Sequence, residues 1–553
     1  MNIGEMQRKL SLKAERSPDH RFDDLYSLLY NSQWLRLAHD YVAENSGSIT
    51  GGCDGINMKT FDENLEQNLK QLADELKSER FQPHPVRRVY IPKSKGKVRP
   101  LGIPSIKDRI VQEALRMVLE PIFEADFSQL SFGFRPNRCT MDAVNYVTFN
   151  MTGANRYYWV IEADIDSYFD TINHRKLMKL LRRRVKDKRL LRLIWKFLRA
   201  GVMERKLFRS TKLGTPQGGI ISPLLANIYL HELDKYMSRF TELSEYRRRI
   251  RRLAKQANFY HIRYADDFVI ICNGTKTEAE SLKEEIYNFL KEKLRLRLSK
   301  EKTKVTHIND GFKFLGFEIK RSPGRGGSMK TRKLIPREAV KKVIEKIEAA
   351  TQPHTHRDAV NAKILALNRI IRGWCQYYQY TSKTSVQFSK VEHLAFWRMV
   401  RWLGRKFQLS IPEVMRRYRK ENSLATRNYR LVRATEIKTK VYRKSARKPN
   451  PYTRQGENKI SREKLAHESR WTGNEARPGM GDLRPLVIER DGNVCQMCEK
   501  AVNSHTAQVD HIKPVRRFKR PVDANQLENL WTLCNGCHRE KTETDRQRES
   551  RMH

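Results

Sequence analysis

Two runs of β-forming residues, Phe259-Tyr260-His261-Ile262 and Phe268-Val269-Ile270-Ile271, bracket the tetrapeptide Tyr264-Ala265-Asp266-Asp267. This pattern reads as a strand, a tight turn and a second strand, with two adjacent carboxylates presented at the turn. Ionised carboxylates side by side repel, so the pair is costly unless cations sit against it. Divalent ions held about 4 Å apart serve in-line phosphoryl transfer, one at the attacking oxygen and one at the leaving oxygen. A solvated turn is the competing reading of an Asp pair taken alone. The apolar flanks favour the first reading, and a third carboxylate decides it.

A candidate lies about a hundred residues earlier, in Trp159-Val160-Ile161-Glu162-Ala163-Asp164, which reads as a buried strand ending on Asp164. Ile165-Asp166-Ser167-Tyr168-Phe169-Asp170 follows directly. These blocks, in this order, resemble the reverse transcriptases encoded by group II introns, and the likeness spans most of the chain. The resemblance implies that Asp164 and Asp266 bind two catalytic Mg2+ ions with Asp267 assisting. It also implies that Phe169 is the steric block that excludes a 2′-hydroxyl and selects deoxynucleotides. Asp166 and Asp170 are read as polar strand-end residues.

Further blocks fit the same family. Val86 to Leu101 reads as two strands joined by a basic, glycine-containing turn, either an ordinary charged hairpin or a cover for a triphosphate. By resemblance, Lys93 and Arg99 are the residues that contact the nucleotide. In Gly214-Thr215-Pro216-Gln217-Gly218-Gly219 the glycines allow backbone to approach a ligand closely, and the likeness gives Gln217 the incoming nucleotide and template. Ser299-Lys300-Glu301-Lys302-Thr303 and Phe314-Leu315-Gly316-Phe317 resemble the last palm block and the primer grip. Lys302 is either a proton donor to pyrophosphate or a solvated lysine.

Lys+Arg exceed Asp+Glu by 109 − 63 = 46. A surplus of this size calls for a polyanion, and nucleic acid binding of this kind weakens steeply with salt. An acidic membrane surface would attract the same charge, but no run of about 18 apolar residues spans a bilayer and no signal peptide opens the chain. A cytoplasmic location follows, in the bacterial cytoplasm or nucleoid, with an organelle also compatible; no membrane partner is expected.

Of eight cysteines, Cys53, Cys139, Cys272 and Cys375 are scattered and read as small buried hydrophobes of a reducing compartment. Cys495/Cys498 and Cys534/Cys537 form two Cys-x-x-Cys pairs, the donor set of a closed tetrahedral Zn2+ site. Disulfide pairing is the alternative. Val509-Asp510-His511-Ile512, Asn529-Leu530 and His538 lie in or beside this frame and resemble the HNH endonucleases, a ββα-metal family, over about the last sixty residues. That likeness implies His511 as general base and Asp510 with His538 on one divalent ion, Mg2+ or a transition metal. Asn529 would then fix the loop behind His511. The zinc would be structural, since so small an element lacks a core of its own.

Residues 335–425 show helical periodicity, and Arg372-Gly373-Trp374-Cys375-Gln376-Tyr377-Tyr378 resembles the maturase domain of the same intron family. Arg398, Arg401, Arg405, Lys406, Arg416 and Arg417 alternate with Trp397, Trp402, Phe407 and Tyr418, which suits phosphate contact with base stacking. Beyond Asn422, Arg427 to Lys448 meet few acids and read as a DNA-binding segment and linker. Arg247-Arg248-Arg249-Ile250-Arg251-Arg252 either tracks template phosphates or is a mobile insertion.

The expected fold is multidomain α+β: a right-hand polymerase with fingers and palm, a helical thumb, a basic linker and a small zinc-containing ββα-metal HNH domain. Boundaries are set at 1–80 (N-terminal extension and start of the fingers), 81–330 (fingers and palm), 331–425 (maturase thumb), 426–484 (DNA-binding segment) and 485–553 (nuclease). The implied function is RNA-directed DNA synthesis, assistance to splicing, and target-strand nicking that primes copying of the intron. Partners would be group II intron RNA, double-stranded target DNA, an RNA template with DNA primer, and deoxynucleoside triphosphates. The alternatives are a splicing-only maturase with an inactive polymerase site, and a defence or diversity-generating reverse transcriptase.

Overall fold

The computed structural model describes residues 2–92, 98–152, 157–204, 207–209, 213–215, 218–299, 301–324, 327–442, 448–453, 487–502, 507–512, 527–538 and 540–541. The chain divides into two compact units, Met1–Ile460 and Ser461–His553.

In chain order, the strands of the first unit are β1 (Val86–Pro92), β2 (Val98–Ile103), β3 (Trp159–Asp164), β4 (Val202–Glu204), β5 (Leu207–Arg209), β6 (Phe259–Tyr264) and β7 (Asp267–Cys272). They continue with β8 (Lys304–His307), β9 (Phe312–Phe314), β10 (Phe317–Pro323), β11 (Met329–Leu334) and the short pair β12 (Arg419–Lys420) and β13 (Ser423–Leu424). The central sheet has the order β6-β7-β3-β8, and every pairing in it is antiparallel. Side chains alternate between its faces. Phe268, Ile270, Ile161 and Ala163 pack with helices Ser222–Thr241 and Lys276–Phe289. Val269, Ile271, Val160 and Ile262 pack on the other face. Burial on both faces explains why β7 is apolar at five successive positions rather than alternating.

The second face does not close on residues before 330 alone. Its core runs on through Phe314 and Phe317 into helices Arg337–Ala350, Val360–Tyr378 and Thr384–Phe407. Leu367, Ile371 and Cys375 form the buried stripe, while Tyr377 is 41% exposed. Among the interleaved aromatics, Trp402 and Tyr418 are core residues. Trp402 donates Nε1–H to Thr355 Oγ1 at 3.0 Å, with Lys363 and Lys406 over its ring. A base-stacking role is therefore overturned for these two.

At the N-terminus, Trp34 and Leu35 of helix Ser32–Ala43 are fully buried against helix Ile106–Glu124, with Trp34 donating to the Ala114 carbonyl at 3.1 Å. The arginine run forms the helix Glu245–Leu253. Arg248 in it is buried and donates to the Thr241 and Leu243 carbonyls, so it is not free to track phosphates.

The chain beyond the last helix folds back over this unit. Leu431 and Ala434 join the core. Tyr442 donates to Asp142 Oδ1 at 2.5 Å, Lys448 reaches Asp142 Oδ2 at 2.6 Å, and Asn450 donates to Ser11 Oγ at 2.8 Å. Within the basic stretch from Arg427 to Lys448, Arg443, Lys444 and Arg447 lie outside the described residues, as does everything from 454 to 484. Cys139 departs from the expectation of burial: it is exposed, 3.2 Å from the Tyr442 hydroxyl.

The second unit contains β14 (Ala507–His511) paired antiparallel with β15 (Leu530–Cys534), followed by helical residues 535–538. Its core among the described residues is Ile488, Cys495, Val502, Ala507 and Leu533. No helix among the described residues is long and apolar enough to cross a membrane.

Candidate functional site

Antiparallel register brings the acidic residues together. Asp164, the last residue of β3, pairs with Asp267, the first of β7. Tyr264 pairs with the same Asp267 across the hairpin, leaving Ala265 and Asp266 as its turn. Ala265 sits in the left-handed region at φ 59°, a conformation that costs a non-glycine residue roughly 1 kcal/mol or more.

Asp266 and Asp267 have raised carboxyl pKa values. Burial is the largest cause for both, and the neighbouring acids add to it. Asp267 is pushed up to about 7, with Asp266, Asp164 and Glu162 all contributing. Glu162, overlooked in the sequence, lies two residues before Asp164 and so on the same face of β3; it accepts from Thr306 Oγ1 at 2.7 Å. Lys302 donates to Asp164 Oδ2 at 2.7 Å, so its ammonium already rests on one of the three carboxylates. The side chain is 63% exposed, so it is a solvated lysine paired with Asp164.

The β1–β2 hairpin forms as read, with Arg99 opposite Ile91. Arg99 lowers the pKa of Asp266, against the larger effect of burial, so its charge reaches the acidic turn. Arg88 and Arg99 act likewise on Asp170. Lys93 and Gln217 lie outside the described residues.

Phe169 is buried, edge-on to Phe134 at 6.5 Å between centroids, and its carbonyl accepts from Thr215 N at 2.7 Å. Two glycines of the Gln217 block, Gly214 and Gly218, lie close against neighbouring main chain. A Cβ on Gly214 would lie 2.9 Å from the Phe169 carbonyl oxygen, and one on Gly218 (φ 110°) 2.3 Å from that of Gly102. The Phe314-Leu315-Gly316-Phe317 turn is held by the helix Val360–Tyr378: Tyr377 donates to the Leu315 carbonyl at 2.8 Å and Tyr378 to that of Gly316 at 3.1 Å.

In the second unit, the sulfurs of Cys495, Cys498, Cys534 and Cys537 all lie within 4.8 Å of one another. All four are free thiols, so the disulfide alternative falls. Asp510 Oδ2 is 4.0 Å from His538 Nε2 and 3.2 Å from Lys541 Nζ, a neighbour that the motif reading did not include. His511 is 2% exposed and pairs with Leu530. Next to it in the chain, Ile512 N donates to the Asn529 carbonyl at 2.7 Å, a main-chain bond between the two segments.

Three family models match the chain: reverse transcriptase (RNA-dependent DNA polymerase) over residues 91–319, the group II intron maturase-specific domain over 340–421, and HNH endonuclease over 495–544. Protein YkfC of Escherichia coli K12 is 45% identical over 61% of this chain and 93% of its own length. The group II intron-encoded protein LtrA of Lactococcus lactis subsp. cremoris is 34% identical over 70% of this chain and 75% of its own. Nuclear intron maturase 1, mitochondrial, of Arabidopsis thaliana is 27% identical over 43% of this chain and 45% of its own. Reverse transcriptase, maturase and HNH domains thus follow one another in a chain whose long match to LtrA crosses the first two, and the protein belongs to the multifunctional group II intron-encoded proteins.

Proposed function

We propose that the first unit copies intron RNA into DNA at the acidic turn, and that the second unit nicks the target strand to make its primer. The pairing of Asp164 with Asp267, beside Asp266 on the hairpin turn, carries this reading. Three carboxylates drawn from distant segments, with burial raising two of them, form a donor set suited to divalent cations. Two bound Mg2+ ions would supply charge neutralisation at the attacking and leaving oxygens.

Asp164 and Asp266 would hold both ions and Asp267 would assist. Arg99, with Lys93, would orient the triphosphate, and Gln217 the nucleotide against the template. The Phe169 ring would exclude a 2′-hydroxyl. Lys302 keeps its proton beside Asp164, an interaction that raises its pKa, and would donate it to departing pyrophosphate. In hand terms, β3 and β6–β8 form the palm, the β1–β2 hairpin belongs to the fingers, and residues 331–425 are the thumb that grips the duplex and intron RNA. Splicing would be assisted by binding the folded RNA, since a ligand of the native form stabilises it.

In the nuclease, His511 would take the proton from water, as an imidazole near neutral pH can. Asp510 and His538 would hold one divalent ion, Mg2+ or a transition metal, and Asn529 would support the loop. The four cysteines would hold a structural Zn2+. Target duplex DNA, an RNA template with DNA primer and deoxynucleoside triphosphates complete the partners, in a cytoplasmic setting.

Reciprocal variants test the assignment. Asp266→Ala should abolish primer extension and leave RNA-assisted splicing and target nicking intact. His511→Ala should stop nicking while extension of a supplied primer persists. Long cDNA from the first variant, or intact cleavage by the second, would refute the corresponding site.

A further inference from the structure

Arg263 lies on β6 beside the acidic turn, with its side chain fully buried. Its Nε and Nη2 form a fork on Asp234, at 2.9 and 2.5 Å, and this pair alone would balance the buried charge. Although burial pushes the other way, the guanidinium holds the Asp234 carboxyl well below the usual range.

The remaining nitrogen, Nη1, points elsewhere. It donates to the Ala265 carbonyl at 3.0 Å and to Asn227 Oδ1 at 2.9 Å. Asn227 in turn donates Nδ2–H to the Gly133 carbonyl at 2.9 Å. Gly133 closes the circuit by packing, since a Cβ there would lie 2.3 Å from Ala265 N. Main-chain bonds fix the same loop from outside: Phe132 N donates to the Arg263 carbonyl at 2.8 Å and Arg263 N to that of Leu130 at 2.9 Å. A merely structural ion pair would require none of the bonds to the turn.

We propose that Arg263, through Asn227 and Gly133, is a positioning residue that clamps the left-handed Ala265 and so aims Asp266 and Asp267 at Asp164. The proposal rests on the acidic turn being the polymerase site. Preorganisation of this kind lets mutually repelling groups stay converged before substrate binds.

The test uses the full-length protein with Asn227→Ala and Arg263→Lys, and Asp266→Ala as reference. Asn227→Ala leaves the Arg263–Asp234 pair intact and so guards against simple unfolding. We expect kcat for primer extension to fall about a hundredfold in both variants, the scale of a small misplacement at a reacting centre, with KM for nucleotide little changed and RNA-assisted splicing retained. Hydrogen exchange without metal should quicken only in peptides covering residues 263–268. Wild-type kcat and wild-type exchange at the turn would overturn the clamp. Exchange quickened throughout the unit would also overturn it, by showing a general structural role. If Asp266→Ala itself still extends primers, the polymerase assignment falls instead.

Discussion

Asp267 is the residue where the electrostatics of the site are most exposed to experiment. Its carboxyl rises from 3.8 to about 7, with burial the largest cause. A carboxyl whose folded value exceeds its unfolded value stabilises the fold below the unfolded value and loses that contribution as pH rises through the folded one. In magnesium-free buffer, the Tm of the polymerase unit should therefore carry a component that falls between pH 3.8 and about 7. Asp267→Asn should flatten that component; a slope unchanged in the variant would sink the assignment. Asp164 and Asp267 were readable from the chain because one ends and the other begins an apolar strand, and Asp266 because it lies in the short turn before the second. Arg263 was not, because one cation inside an apolar run has no period, and its partners Asn227 and Asp234 sit on a separate helix.

Among the elements, the β1–β2 and β6–β7 strand pairs were legible from strand composition. Their mutual arrangement was not, since it depends on backbone contacts to which side-chain patterning is blind. Gly218 illustrates the difference: its identity announces a close approach, but only the fold shows that the neighbour is the Gly102 carbonyl on β2. Gly218→Ala should destabilise the first unit by about 1–3 kcal/mol through this clash and the positive φ. It should also raise KM for nucleotide more than it lowers kcat, because it displaces the block carrying Gln217 from the β1–β2 hairpin. Urea denaturation and steady-state primer extension measure the two effects, and a wild-type value in both would refute the contact. Trp402 and Tyr418 of the aromatic-basic segment failed as surface positions for a related reason. Spacing alone cannot separate a core Trp402, with the ammonium groups of Lys363 and Lys406 over its ring, from a stacking platform.

At the scale of the whole molecule, the two units differ in how they are held together. The first carries large cores of packed side chains, whereas among the described residues the second has a small core of Ile488, Val502, Ala507 and Leu533 joined by Cys495 of its cysteine cluster. Stability in the second should therefore come largely from metal binding, as in other small metal-dependent folds. A zinc-selective chelator, in excess magnesium, should abolish target nicking and leave extension of a supplied primer unchanged. Loss of both together, or of neither, would contradict this division. Excess positive charge marked nucleic acid as the partner, but no compositional signal announced that Tyr442 and Lys448 would reach Asp142 and Asn450 would reach Ser11. Those anchors are single polar contacts separated by hundreds of residues.

The uninterrupted core that runs from Val160 and Ile262 into Ile364 and Val400 also bears on how such a protein is inherited. Copying and splicing assistance share one apolar interior, so a lineage could not discard the maturase helices without stripping cover from the sheet that carries the acidic turn. The nuclease, with an interior of its own, is the portion that evolution can add or delete at little structural expense.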